Sequence, residues 1–137
     1  MSLAARDRLL LYPNYLRGAR KMSKFMVLLY ANESAMPKPG TSEFDAQNAA
    51  YGVVYDNFSK RGVFVSGDPL SPSGSSTSVR VRAGQRQDSS GPATSTAEQL
   101  IGYYVLDCPN QNEAAELAAT IPCAQVGTVE VRPVFEM

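Results

Sequence analysis

Residues 110–122 read Asn110-Gln111-Asn112-Glu113-Ala114-Ala115-Glu116-Leu117-Ala118-Ala119-Thr120-Ile121-Pro122 and carry the clearest local signal in the chain. Asn110, with Glu113 three residues on, resembles a capping box in which Asn stands in for Ser or Thr. Ala114, Leu117, Ala118 and Ile121 recur at i, i+3, i+4 and i+7, which is one face of a helix, and Pro122 stops it. The run Ile101–Leu106 before this helix is strand-like and apolar on both faces except for the hydroxyls of Tyr103 and Tyr104. After it, Val126–Val134 alternates, with Val129 and Val131 on one face and Glu130 and Arg132 on the other. Pro133 makes this last strand end on, or become, an edge. The C-terminal half is therefore a strand-helix-strand unit.

The N-terminal half repeats that unit. Phe25–Tyr30 is apolar on both faces, as a strand covered on both sides must be. After a Pro- and Gly-bearing loop, Thr41 or Ser42 can cap a helix whose first turn holds Glu43 and Asp45, acids that favour the positive end of its dipole. Phe44, Tyr51, Val54, Tyr55 and Phe58 fall on one stripe. Lys60 and Arg61 suit the negative end, and Gly62 supplies the stop. Gly52 inside this helix costs about 1 kcal/mol against Ala and marks a candidate close contact. Val63-Phe64-Val65 opens the next strand, which runs out at Gly67-Asp68-Pro69-Leu70. Between the halves, Val79–Arg82 alternates, Ala83-Gly84 suits a hairpin tip, and Gln85–Asp88 reads as a short polar edge, with Ser-rich loops on either side.

The order is β-α-β-β-α-β with an extra hairpin edge, the ferredoxin-like pattern of an α+β fold in which both helices cover one sheet face. The other face then needs a cover of its own, and strands apolar on both sides predict a symmetric second copy there. The pattern alone points to a homodimer.

Composition narrows the chemistry. The chain has 137 residues, 13 basic and 13 acidic, and no histidine. The zero net charge hides an asymmetry: residues 1–23 carry five basic side chains against one acidic, and residues 24–137 carry eight against twelve, a net of −4. An acidic body argues against nucleic acid as a partner of the main domain, since phosphate binding calls for a basic excess. Residues 1–23 are expected to be a disordered basic extension rather than an arm for an acidic partner, and Met22-Ser23-Lys24 would serve as a natural beginning. Residues 24–137 form the single expected domain. Without histidine, the commonest general base and neutral metal ligand are missing, and Cys108 and Cys123 alone do not make a zinc site. No metal and no cofactor are expected. The chain has no secretory h-region and no apolar run of membrane-spanning length, so the cytoplasm is the expected compartment, with both cysteines as free thiols and no membrane contact.

The segment Glu98–Asp107 resembles the YCII-related family, specifically its DGPF-motif branch. Met26–Tyr30, Gly67–Leu70, Thr77–Arg82 and Val129–Val134 agree with it in order and spacing, so the resemblance covers about residues 24–137. It implies a dimeric α+β barrel built from ferredoxin-like halves. The branch motif stands here as Ser90-Gly91-Pro92-Ala93, with the turn-forming Gly-Pro kept and the acid and aromatic replaced. Relatives nearer the founding type carry a His–Asp pair read as acid and base. Tyr51 stands at the His position and Ile121-Pro122 where those relatives have Asp-Pro, so that activity is not carried over.

The candidate ligand-binding residues are Tyr30, Tyr51, Asp68, Arg80, Tyr103, Gly91 and Pro92, with Asp68, Tyr103 and Tyr51 also the candidates for catalysis. Tyr103 and Tyr104 must point to opposite sheet faces, so at most one enters a barrel-side cleft. Arg80 and Arg82 share a face and could clamp an anion. The function expected is a homodimeric small-molecule binding or regulatory module; the alternative is an enzyme using Tyr/Asp acid–base chemistry on an anionic or aromatic metabolite.

Overall fold

The computed structural model describes residues 21–137. Residues 1–20, which hold most of the basic leader, lie outside the described residues. Strand β1 (Ser23–Ala31) leads through a single 3₁₀ turn (Glu33–Ala35) to helix α1 (Ser42–Lys60) and strand β2 (Phe64–Pro69). Strands β3 (Thr77–Arg82) and β4 (Gln85–Ser90) follow, then β5 (Gln99–Cys108), α2 (Gln111–Ala118), the short α3 (Cys123–Val126) and β6 (Thr128–Pro133).

Four strands form one antiparallel sheet in the order β2-β5-β1-β6. This is the split order of the ferredoxin-like pattern, in which each strand-helix-strand unit leaves room for a strand of the other. The extra hairpin is not an edge of that sheet, as its sequence suggested. β3 and β4 pair only with each other, because Pro69, Pro72 and the loop back from Gly91-Pro92 carry the chain off the sheet on both sides. β4 also runs on to Ser90, into residues read as loop. Its tip is Ala83-Gly84, both at positive φ (51° and 73°), as a two-residue hairpin turn requires.

The caps form as their side chains dictate. Thr41 Oγ1 accepts from the Phe44 N–H at 3.2 Å, and Asn110 Oδ1 accepts from the Glu113 N–H at 2.8 Å. Gly62, at φ 70°, ends α1 with the paired bonds Gly62 N–H to Ser59 O and Val63 N–H to Phe58 O. α2 already ends at Ala118, short of the stop expected at Pro122, and Pro122 instead opens α3, so Val126 belongs to a helical turn and β6 begins only at Thr128.

The core lies between one sheet face and the helices. Phe25, Val27, Leu29 and Ala31 alternate into it from β1, and Leu106 and Cys108 from β5. Val54 and Phe58 meet them from α1, and Ala114, Leu117 and Ala118 from α2. Only the C-terminal half of α1 is anchored in this way; Phe44, Gln47 and Tyr51 are half-buried and face a space rather than a packed layer. Gly52 is not the close contact expected of it. A Cβ there would meet nothing within 4 Å, and Gly52→Ala is expected to stabilise the fold by about 0.5–1 kcal/mol through helix propensity, read as a higher urea midpoint.

On the other sheet face, Met26 and Leu28 of β1 lie opposite Val105 and Tyr103 of β5 and Arg132 and Glu130 of β6. These side chains are half-buried or better exposed, with no second layer of the same chain over them. No helix among the described residues is long and apolar enough to cross a membrane.

Candidate functional site

Because α1 is seated by Val54 and Phe58, its N-terminal half stands off the sheet, and a cleft of about 930 Å³ opens beneath it. The cleft lies at the end of the sheet where β1 and β2 finish and β5 begins. One wall is the helix stripe Phe44, Tyr51 and Tyr55; the floor is Phe64, Ile101 and Tyr104; the rim is the Pro-rich loop 36–39 together with Pro69 and Pro72. The rings form a connected set. Tyr55 meets Phe64 edge-on at 5.0 Å between centroids, and Tyr104 stands edge-on to Phe58 at 5.5 Å and to Phe64 at 6.4 Å. Such T-shaped pairs hold ring orientation as well as burying area.

Two glycines let the backbone close on this floor. A Cβ on Gly67 would come within 2.7 Å of Tyr104 Cδ1, and one on Gly102 within 3.2 Å of the Asp68 carbonyl. Their absence of side chain is what allows the end of β2 to lie flat against β5 beside the tyrosine ring.

The rim is pinned by one polar clasp. Both carboxylate oxygens of Glu33 are taken by Ser73, one from its backbone N–H at 2.7 Å and one from its hydroxyl. Those bonds favour the ionised form, so the Glu33 carboxyl sits below its ordinary value. Residues forty apart in sequence thereby tie the loop after β1 to the loop after β2.

Among the sequence candidates, Tyr51, Asp68 and Tyr103 border the cleft, but only Tyr51 faces into it, because Asp68 and Tyr103 share the outer sheet face with Leu28. Tyr103 and Asp68 are directly paired across β5 and β2, and the Tyr103 hydroxyl donates to Asp68 Oδ2 at 3.1 Å. The hydroxyl is thus bonded to a carboxylate, and Asp68 sits within β2. Losing that bond and facing that charge make the phenol harder to ionise, which raises its pKa. Tyr103 and Tyr104 do point to opposite faces: Tyr103 shares the face of Leu28, and Tyr104 that of Val27. The remaining candidates are elsewhere. Tyr30 is paired between β6 and β5, Arg80 projects from the β3–β4 hairpin, and Gly91 and Pro92 close the base of that hairpin; none of the four lines the cleft.

Tyr51 is half-buried in the cleft wall. Burial pushes its hydroxyl up to about 12, with Cys123 and Tyr104 adding to the shift and the Cys123 backbone N–H opposing it. Tyr51 therefore meets the residue just after Ile121-Pro122, so two positions seventy residues apart converge. Cys123 itself is fully buried, its thiol directed at the Tyr30 carbonyl at 3.4 Å and raised in pKa by that burial. Tyr104 is raised by burial as well. These phenols are neutral hydrogen-bonding groups at neutral pH, not bases. An acid whose folded pKa lies above its unfolded value costs nothing below the unfolded value. The tyrosines' contribution to stability should therefore be level below about pH 10 and fall as pH rises towards 12, where the unfolded chain ionises first. Absorbance titration at 295 nm is expected to show tyrosines ionising above the ordinary range, and Tyr51→Phe to remove part of that late phase.

Phe44 and Tyr55 share the helical stripe of Tyr51, but the stripe shows only that they face inward, not that the space there is a cleft. Phe64, Tyr104 and the Glu33–Ser73 clasp carry no such signal, because their roles depend on how far α1 stands from the sheet. No group of three or more Cys, Asp or Glu side chains suited to a metal occurs among the described residues.

The fold and the cleft define a small α+β domain of ferredoxin-like order, with an aromatic-walled cleft between helix and sheet. Residues 23–137 match the YCII-related domain, and the chain belongs to that family. It is similar to an uncharacterised protein of Rhizobium meliloti (strain 1021), 29% identical over 111 residues that span 80% of this chain and 90% of that protein.

Proposed function

We propose that this chain is a homodimeric small-molecule-binding or regulatory protein whose ligand enters the cleft under α1. The observation that carries this reading is the cleft itself: about 930 Å³, walled by aromatic rings, with few polar groups at its rim. Sites for small organic ligands have this size and this make-up. The shape between the ring walls favours a flat, largely apolar ligand. Of the two carboxylates at the rim, Glu33 is already engaged by Ser73 and Asp68 is turned with Tyr103 to the other sheet face, so Tyr51, Gln47, Asn48 and Lys38 are the polar groups left to orient a ligand.

The second copy is supported by the sheet face opposite the helices, where Met26, Leu28 and Val105 form an apolar centre edged by Lys24, Asp107, Glu130 and Arg132. Two such faces stacked about a twofold axis would give each protomer the layer it lacks, as in an α+β barrel. The two buried cysteines, which form no disulfide with each other, suit a reducing compartment, and the cytoplasm is the proposed location.

A thermal-shift screen of neutral, cationic and anionic aromatic metabolites against the wild-type chain tests the ligand. A rise in Tm that Tyr51→Ala or Gly67→Leu abolishes supports the cleft; no rise across the screen opposes it. Sedimentation equilibrium tests the dimer, and a monomer at micromolar concentration would oppose it. A second reading, an enzyme, rests on the 3.1 Å bond between Tyr103 and Asp68, a hydroxyl and a carboxylate placed to pass a proton. In that case Asp68→Asn and Tyr103→Phe lose turnover while still binding the ligand found in the screen.

A further inference from the structure

The β3–β4 hairpin stands apart from the rest of the molecule in one physical respect. Of its twelve strand residues, every side chain except that of Ser78 is exposed. A two-stranded ribbon with water on both sides is marginal on its own. This ribbon nevertheless keeps two β-branched apolar residues, Val79 and Val81, which are 54% and 59% exposed.

The register sorts its side chains. Val79 lies opposite Asp88 and Val81 opposite Arg86, so these four share one face. Arg86 and Asp88 are joined by two parallel bonds of 2.8 Å, Nε to Oδ1 and one terminal guanidinium nitrogen to Oδ2. The only charges on the valine face therefore cancel, leaving an apolar strip beside a neutral pair. The opposite face carries Arg80 and Arg82 with Gln85 and Gln87, and no acid. Among the described residues neither Arg80 nor Arg82 has an ion-pair partner. The base is braced: the Gly91 N–H donates to the Ser76 carbonyl at 2.7 Å and Ser78 Oγ to the Gly91 carbonyl at 2.8 Å. The ribbon thus leaves the body as a defined unit, rooted a few residues beyond Leu70 and Pro72 of the cleft rim.

We propose that this ribbon is an arm that lies across a second copy of the chain, with Val79 and Val81 against that copy and Arg80 and Arg82 on the outward face, where their charge draws the arm to an acidic surface. The proposal rests on the homodimer argued above and adds a second contact to it. Charge selects the occupant. The ribbon holds three basic residues and one acidic, a net of +2, while the rest of residues 24–137 holds five basic and eleven acidic, a net of −6. A second copy therefore offers an arm of this sign a complementary surface. Nucleic acid is the weaker occupant, because the same acidic body would be brought against the phosphates and the valine face would stay in water.

The test uses the full chain. With a benzophenone amino acid at Val81, irradiation is expected to yield a covalent dimer, with the adduct mapped to a peptide of the other copy. In sedimentation equilibrium, the double variant Val79→Lys, Val81→Lys is expected to raise the dimer dissociation constant at least tenfold, with far-UV circular dichroism unchanged. Arg80→Glu with Arg82→Glu is expected to weaken the dimer in a salt-dependent way. A dimer of unchanged affinity in all these variants, or adducts confined to the same chain, would overturn the arm and leave the sheet-face dimer standing. A wild-type chain that stays monomeric would overturn both. Salt-dependent binding of a labelled DNA duplex that the arginine variants lose, with the dimer unaffected, would overturn the second copy in favour of nucleic acid.

Discussion

Phe58→Ala is expected to lower stability by about 3–5 kcal/mol, a large part of what a domain of this size has. Phe58 is fully buried and is the larger of the two α1 side chains in the core. It is also the edge-on support of Tyr104, at 5.5 Å, so the cavity left behind opens directly under the cleft floor. The effect should therefore appear twice: as a lower urea midpoint, and as weaker ligand binding at temperatures where the variant is still folded. With no tryptophan in the chain, far-UV circular dichroism is the natural probe of unfolding. Val53→Ala one turn away, at a position 69% exposed, should stay within about 0.5 kcal/mol of wild type. Equal losses at the two positions would mean that α1 is not seated as described.

Gly127→Ala is expected to be as damaging, by another route. Gly127 sits between α3 and β6, and its N–H donates to the Cys123 carbonyl at 2.8 Å. A Cβ there would run into the Tyr30 carbonyl oxygen and lie 3.1 Å from the Ala31 Cα and Cβ. These are mostly backbone atoms of a central strand, so no rotamer change relieves the collision. The cost is about 3 kcal/mol or more, expected as loss of soluble folded protein or a sharply lowered urea midpoint. The contrast with Gly52→Ala is the control, since that substitution meets open space and should stabilise. If both glycine variants behaved alike, the close approach of residue 127 to β1 would be wrong.

Much of the fold is legible because its signals are local. The Asn110–Glu113 cap, the Thr41 cap and the Gly62 stop are each written within a few residues, and each forms the hydrogen bonds its residue types imply. The alternation of Phe25, Val27 and Leu29 fixes the inner face of β1 in the same way. What failed was non-local. The hairpin's alternation shows only that it is a strand pair, not what it pairs with, so the sequence does not separate it from the sheet edge. Helix propensity says what Gly52 costs and not what stands opposite it. The start of β6 was placed two residues early because Val126 continues the apolar pattern while Pro122 has already turned the chain into α3.

The cleft was legible in part for the same reason. Tyr51 announces itself on a helical stripe, and Asp68 by its place after a strand and beside a glycine. That Asp68 would meet Tyr103, or Glu33 meet Ser73, depends on β2–β5 register and on two loops converging, and no local pattern encodes either.

The proposed function requires that the space under α1 receive a flat, largely apolar small molecule. The most direct test is a two-dimensional amide NMR titration of the ¹⁵N-labelled full chain with small aromatic probes, phenol and indole, into the millimolar range. The expected result is saturable shifts gathered at the amides of Tyr51, Tyr55, Gly67, Ile101 and Gly102, with the β3–β4 ribbon unmoved. Shifts scattered over the surface, or none at the cleft at any concentration reached, would contradict it.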